Sequence, residues 1–447
     1  MIVNDTYRFI QSIIGSVDKI GETEYYAAQK GLIDCIATAY ATKNNEAINQ
    51  LIQLLSKEQG DGQSPIMAYE QMLKPRDAAL VNGYLLHYLD YDDVHSDVRG
   101  HATSVIIPTL IAVSNQNKQS YRHFLDSYII GVEVTARIGR TIGKNHYESG
   151  WHSSSTIGII GATVASAHYL NLDIETIANA IGIAISEMSG LRAQFGTDVK
   201  PLHIGLAAQK AYMAVKYSES KIITGHKDML PALFETYSEL FYMPDNIMRT
   251  DTEPWAIVNP GLWFKKYPCC SANYHAIDAV MALQSKFNIE IDNIEQINVT
   301  FPSQGDAALK YTRPINGLEG RFSVEYVIAT LLINNRLTME DFFENNIDSN
   351  IQKLMTKVHR NYNDEIIPKT NALPKGRYTI VEIKTKSGET LRERVDAPKG
   401  SPNNPLSTEE LVGKLSTFST KHARNIQNLF NVTDTDELIT YIVTGGY

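Results

Sequence analysis

Cysteine is scarce: the 447-residue chain has three, Cys35 and the adjacent Cys269 and Cys270. Such a set makes neither a disulfide framework nor the four-ligand spacing of a structural zinc site, so a reducing, cytoplasmic setting is expected. Positive charge is also short. The formal net charge is -9 and no basic stripe interrupts it, which excludes a nucleic-acid partner held by its phosphates. An acidic protein still binds an acidic substrate when a few cations converge on one cleft, so the substrate question passes to individual lysines. Long hydrophobic runs are missing too. Val105 to Val113 is too short to cross a bilayer and contains Pro108, so a soluble protein with no membrane partner is expected. Asp5, Asp18, Glu22 and Glu24 fall where a secretory leader needs a basic start and an unbroken apolar run, so no targeting segment is expected.

Cofactor motifs are absent as well. No Gly-x-Gly-x-x-Gly follows a strand, no Gly-x-x-x-x-Gly-Lys-Ser/Thr loop occurs, and no Gly-x-Ser-x-Gly elbow is present. Dinucleotide, nucleotide and serine-hydrolase chemistry lose their support, and no cofactor is expected. No repeat of solenoid period is visible. With 43% hydrophobic and 20% charged residues, the chain has ample material for a large core, and its length predicts roughly two or three domains.

Much of the first half of the chain is rich in alanine, with apolar residues at helical spacing. Tyr25 to Ala41, Ala78 to Leu89 and Phe124 to Ile138 read as helices. Thr156 to Leu170 and Ile174 to Met188 are small and apolar nearly all round, which predicts helices buried among helices. The texture changes near Tyr267 to Cys270. Gln296 to Phe301 alternates as a strand, and Tyr378 to Thr385 with Thr390 to Val395 predicts a hairpin closed by Lys386-Ser387-Gly388-Glu389. After the turn-rich Pro398 to Pro405, helical spacing returns in Ser407 to Phe418 and Thr435 to Val443. The expectation is a mainly α chain with an α+β second domain at 268–400, the helical part taking 1–267 and 401–447.

Four polar segments stand out. The first, Asp90 to His101, stacks Asp90, Asp92 and Asp93 just after a helix, where the dipole disfavours carboxylates. Either the segment is a solvated loop or its charges are paired within a site. Its spacing matches neither a calcium loop nor a His-Glu-x-x-His zinc helix, so no metal is expected. The second segment runs from Gly143 to Ser155 and places His152 at a helix start, where free amides favour a neutral imidazole. A capped structural histidine is the competing reading. In the third, Phe195 to His203, Lys200 precedes Pro201 and is expected to be extended, reaching into a cleft as a point charge. The fourth, Phe264 to Cys270, carries Lys265 at the predicted domain boundary, a favoured position for ligand sites. Cys269 and Cys270 lack the setting of a nucleophile and read as packing residues.

Taken together and in order, these segments resemble the MmgE/PrpD family. The matching stretches include Val81-Asn82-Gly83, Leu89-Asp90-Tyr91-Asp92-Asp93, Gly100-His101, Gly150-Trp151-His152, Lys200-Pro201-Leu202-His203 and Lys265-Lys266-Tyr267-Pro268. Further along come Tyr311-Thr312-Arg313-Pro314, Gly320 to Tyr326 and the Pro398 to Pro405 turn. The family includes 2-methylcitrate dehydratase, cis-aconitate decarboxylase and iminodisuccinate epimerase. The resemblance implies a large helical domain built from both chain ends, a smaller inserted α+β domain and a homodimer. Positions matching the decarboxylase site are Asp90, His101, His152, Lys200, Lys265 and Tyr311. The resemblance implies His152, His101, Asp90 and Tyr311 in catalysis, with Lys200 and Lys265 binding substrate carboxylates. Val94 departs from the pattern, which has a threonine there. Arg99-Gly100-His101, Gly139-Arg140 through His146-Tyr147 and Pro254 to Ile257 look closer to the epimerase. The implied activity is a lyase acting on a small di- or tricarboxylic acid, with an epimerase as the alternative and a non-catalytic carboxylate-binding protein as a third reading.

Overall fold

The computed structural model describes residues 4–60, 62–115, 117–240, 242–343 and 346–446. It is 56% helical with a small sheet region in the C-terminal part, so the mainly α reading holds. Two compact units divide the chain. The first takes the chain up to Gln194, Asp198–Leu262 and Ser407 onward; the second takes Phe195–Thr197 and Trp263–Leu406. Among the described residues, no helix is long and apolar enough to cross a membrane.

The principal helices of the first unit are α1 (Asp5–Ile14), α2 (Glu22–Ala41), α3 (Glu46–Gln59), α4 (Pro75–Tyr88), α5 (Thr103–Ser114), α6 (Tyr121–Ile142), α7 (Gly158–Tyr169), α8 (Ile174–Ser186) and α9 (Val199–Glu219). Helices α5 and α7 are the centre of this unit. All of α5 is buried, and α7 is buried except at His168, as expected for helices with no polar face. The segment predicted as one helix from Thr156 is broken at Ile157, and a short turn, Ser153–Thr156, precedes α7.

Glycine sets the crossing that matters most for the site. A Cβ on Gly205 of α9 would sit 2.4 Å from the Leu80 carbonyl oxygen of α4, and one on Gly83 would sit 2.9 Å from the Gly205 Cα. The two backbones therefore approach more closely than any larger residue permits. This contact brings the end of α4 to the start of α9. Gly205→Ala, favoured by helix propensity alone, is expected instead to destabilise the protein by roughly 1 to 3 kcal/mol because backbone must move. A urea midpoint equal to or above the parent's contradicts this.

The second unit holds α10 (Tyr274–Lys286) and α11 (Val324–Asn334), with four strands: β1 (Ile294–Phe301), β2 (Val358–Tyr362), β3 (Thr379–Thr385) and β4 (Thr390–Val395). Their order is β2-β1-β3-β4, with β2 parallel to β1 and the other pairs antiparallel. Ile297, Val299 and Phe301 of β1 are buried, as the alternation predicts. Gly388 takes φ 86° in the hairpin turn, where its amide donates to the Thr385 carbonyl. Helices α12 (Thr408–Phe418) and α13 (Thr435–Thr444) belong to the first unit. There, Lys414 of α12 reaches Asp34 of α2 at 2.8 Å, a buried ion pair between distant parts of the chain.

Candidate active site

The aspartate-rich segment after α4 is buried, not a solvated loop: Asp90, Asp92, Asp93 and His101 are each less than a tenth exposed. Asp90 occupies the position after the last helical turn, with φ 52°. Glycine takes that left-handed conformation at least cost, so an aspartate there points to a use for its carboxylate. The use is visible: Lys200 Nζ lies 2.8 Å from Asp90 Oδ1. Each charge sits at the wrong end of its own helix dipole, Asp90 after the C-terminus of α4 and Lys200 in the first turn of α9, and each offsets the other.

Lys200 is helical, which corrects the expectation of an extended residue. Pro201 falls in the first turn of α9, where a missing N–H costs no helix bond, so the lysine before it joins the helix. His203 lies one turn further on, and its Nδ1 is 3.2 Å from Nδ1 of His152.

His101 is anchored through its backbone. Its amide donates to Ser154 Oγ at 2.9 Å, and a Cβ on the preceding Gly100 would meet Ser154 Oγ at 2.5 Å, so only glycine fits that approach. Its ring stands between two carboxylates, Nε2 at 3.6 Å from Asp90 Oδ1 and Nδ1 at 3.0 Å from Asp92 Oδ2. The second contact is bent away from a straight hydrogen bond. Asp92 also meets His87 Nδ1, at 3.0 and 2.9 Å from its two oxygens, and accepts from Ser104 Oγ. Thr103 Oγ1 donates to Asp93 at 2.9 Å. Stacked carboxylates are thus met by the hydroxyls of the first turn of α5, the helix end that favours anions.

Burial shapes the acid–base character of the cluster. It pushes His87 down to about 3, against the opposing pull of Asp92. His152 is held well below its ordinary value by burial first, then by His87 and Lys200. His152 is therefore neutral around pH 7, with one ring nitrogen able to accept a hydrogen. Asp92 is buried, which alone would raise it, yet His101 and His87 hold it well below the usual carboxylate range. Burial, with Asp34 and Asp92 adding to it, raises Asp93 well above that range.

These buried imidazoles make stability depend on pH. His87 and His275 are lowered to about 3, His146 and His168 to about 4, all by burial first, while the unfolded chain titrates near the ordinary 6.5. Below that value the unfolded chain binds protons that the native state refuses, so stability is lost as pH falls. Each such group contributes at most about 1.4 kcal/mol per pH unit, and Asp93 acts in the opposite sense. The melting temperature is expected to fall steadily from pH 6.5 to 4.5. A flat profile there contradicts these assignments.

Lys265 and Tyr311 belong to the second unit. Lys265 is buried, next to Phe264, whose amide donates to the Gly400 carbonyl at 3.0 Å. Gly400 has φ 90° and a Cβ there would lie 2.1 Å from the Phe264 carbonyl oxygen, which explains the Gly in the Pro398 to Pro405 turn. Tyr311 packs its ring over Gly196, and its hydroxyl donates to the Phe195 carbonyl at 3.4 Å. Burial, then Glu319, raises its phenol, so it serves as a proton-bearing donor. Arg360 holds this segment from β2, donating to the Tyr311 carbonyl at 3.2 Å while clamping Glu325 through two bonds of 2.7 Å. Val94 is buried and offers no hydroxyl.

Three residues outside the predicted set join the helical cluster: His87, Asp92 and His203. His87 carried a signal, being the one polar residue in Leu85-Leu86-His87 on a helix leading to stacked aspartates. Among the described residues, His87, Asp90, Asp92 and His101 also bring one donor atom each within 4.8 Å of one another. A cation bound there would have to displace Lys200 from Asp90 or lie beside its ammonium group.

Fold and cluster define a helical protein with a smaller α+β unit and a buried lysine–imidazole–carboxylate centre. The chain belongs to the MmgE/PrpD family. Residues 14–233 match the MmgE/PrpD N-terminal domain and residues 267–434 the MmgE/PrpD C-terminal domain. It is similar to a cis-aconitate decarboxylase of Aspergillus terreus, 25% identical over 418 residues, covering 87% of this chain and 83% of that protein. A cis-aconitate decarboxylase of Homo sapiens is 26% identical over 369 residues, covering 78% of this chain and 73% of the relative. One from Mus musculus is 24% identical over 417 residues, with 88% and 82% covered.

Proposed function

We propose that this MmgE/PrpD enzyme is a lyase that dehydrates or decarboxylates a small di- or tricarboxylic acid through an enolate-like intermediate, without a cofactor. The observation that carries the reading is the buried Lys200–Asp90 pair beside His101. A substrate carboxylate entering this centre meets the Lys200 ammonium beside Asp90, which keeps its share of that cation, since a buried carboxylate stripped of its partner carries a large penalty. Negative charge then develops next to an existing carboxylate, and fixed cations and donors offset it better than water does. Lys200, Lys265 and Tyr311 are assigned that role. Neutral His152 accepts a proton, and His101 returns or relays one. The relatives' activity as cis-aconitate decarboxylases supports a lyase. Incubation with cis-aconitate and other small acids, followed by product mass, tests the reading: loss of water or carbon dioxide supports it, and unchanged mass for every acid overturns it.

One observation favours a second reading. Val94 puts an apolar side chain where the decarboxylase pattern carries a hydroxyl, so the substrate contact differs there. An epimerase, which removes and returns a proton without net loss, uses the same centre and would show unchanged mass with inverted configuration.

We place the enzyme in the cytoplasm as a homodimer that works without a metal. Lys200 already supplies the cation that a divalent ion would bring to Asp90. Activity is expected to survive exhaustive chelation. Loss with EDTA, restored by one divalent ion, contradicts this.

A further inference from the structure

We propose that Asp92, steadied by His87 and Ser104, is the positioning residue that fixes the tautomer of His101 and so directs its Nε2 at the Lys200–Asp90 pair. The proposal rests on the lyase reading for its kinetic consequence but not for its structural one. Asp92 Oδ2 is a point of convergence: Ser104 Oγ donates to it, His87 Nδ1 stands at 2.9 Å and His101 Nδ1 at 3.0 Å. A carboxylate only accepts, so each group facing it is favoured in the form that turns a hydrogen toward it. His101 stands between two carboxylates, and the nearer one decides: Asp92 Oδ2 is 3.0 Å from Nδ1, though off the straight line, against 3.6 Å from Nε2 to Asp90 Oδ1, so the favoured form carries the proton on Nδ1. Its other nitrogen, Nε2, is then the one presented 3.6 Å from Asp90 Oδ1, the oxygen that Lys200 also contacts. The same logic makes His87 a donor through Nδ1, which holds the Asp92 carboxylate plane by spanning both oxygens. The His87 and His101 rings meet edge to face with centroids 4.4 Å apart, so the two imidazoles cannot turn independently.

Asp90 and Asp92 divide the work. Asp90 has Lys200 at 2.8 Å and His101 further off, so its carboxylate serves the lysine first. Asp92 meets the ring through Nδ1, on the side of α5, and among the described residues its partners include His87 and Ser104. An aspartate behind a histidine that selects its tautomer is a general arrangement, and neutralising such a carboxylate lowers turnover while leaving the geometry intact.

The test uses Asp92→Asn, which keeps shape and removes charge. Selective 15N labelling of histidine reports the His101 ring by NMR, assigned by its loss in His101→Gln. Expected in the parent is protonation at Nδ1, and in Asp92→Asn a shift of population toward protonation at Nε2. Turnover is expected to fall about a hundredfold, with KM changed less than about threefold, and Asp92→Asn added to His101→Gln is expected to cost little more. If Asp92→Asn does not fold, Ser104→Ala and His87→Gln serve, each expected to move the same ring signals and to lower turnover by about tenfold. Unchanged His101 signals in every folded variant overturn the proposal. Shifted signals in an enzyme that turns over no carboxylic acid leave it standing and count against the lyase reading alone.

Discussion

Lys200→Met is expected to abolish measurable turnover or to raise KM by at least tenfold. Lys200 is buried and its ammonium is the cation found 2.8 Å from Asp90 in the helical cluster. A charge-assisted contact of this kind is worth roughly 1.5 to 3 kcal/mol, which alone is a tenfold to hundredfold effect. Removing one partner of a buried pair adds a second penalty, since Asp90 is left as an uncompensated buried charge in a left-handed backbone position. Methionine keeps the length and the apolar stem, so packing is the least disturbed quantity. Steady-state kinetics with a matched melting curve makes the check. A kcat/KM within about twofold of the parent would mean that no substrate carboxylate meets Lys200.

His152→Gln is expected to lower turnover by about a hundredfold or more while the fold persists. Glutamine retains hydrogen bonding, including a partner for His203, but cannot accept a proton near neutrality. Burial holds His152 well below its ordinary value, so it meets the substrate in the neutral form that can accept a proton. Circular dichroism and thermal melting accompany the kinetics. Near-normal turnover in a folded variant assigns His152 to structure.

The sequence made the helical texture and the site segments legible to different degrees. Helices without a polar face, such as α5 and α7, announce their burial, and the β3–β4 hairpin is marked by alternation around Gly388. Strand β2 was not legible: Val358-His359-Arg360-Asn361-Tyr362 is mostly polar, because it pairs along only one side, at the edge of the sheet, and turns Arg360 toward Glu325. Asp90, His101, His152 and Lys200 stood out through charge at improbable places and through family motifs. Asp92 stood in the same run but its role did not, since one dimension cannot tell which carboxylate faces Lys200 and which faces the back of His101. His203 follows Lys200 at one-turn spacing, yet its meeting with His152 depends on two segments 51 residues apart. The tertiary signal at that crossing is glycine: Gly83 and Gly205 look like weak points in helices and turn out to set the distance that joins Asp90 to Lys200.

A centre that labilises a bond beside a carboxylate is followed most directly with deuterium, because a C–H bond made or exchanged there draws its hydrogen from solvent. The enzyme is incubated with cis-aconitate and a panel of small di- and tricarboxylates in deuterated buffer and followed by proton NMR. At least one acid is expected to lose carbon dioxide with deuterium entering the product, to lose water, or to exchange the proton beside its carboxylate. Lys200→Met and His152→Gln are each expected to suppress that signal. Neither product nor exchange for any acid, from a folded enzyme that binds those acids, would contradict that chemistry and leave a carboxylate-binding protein in its place.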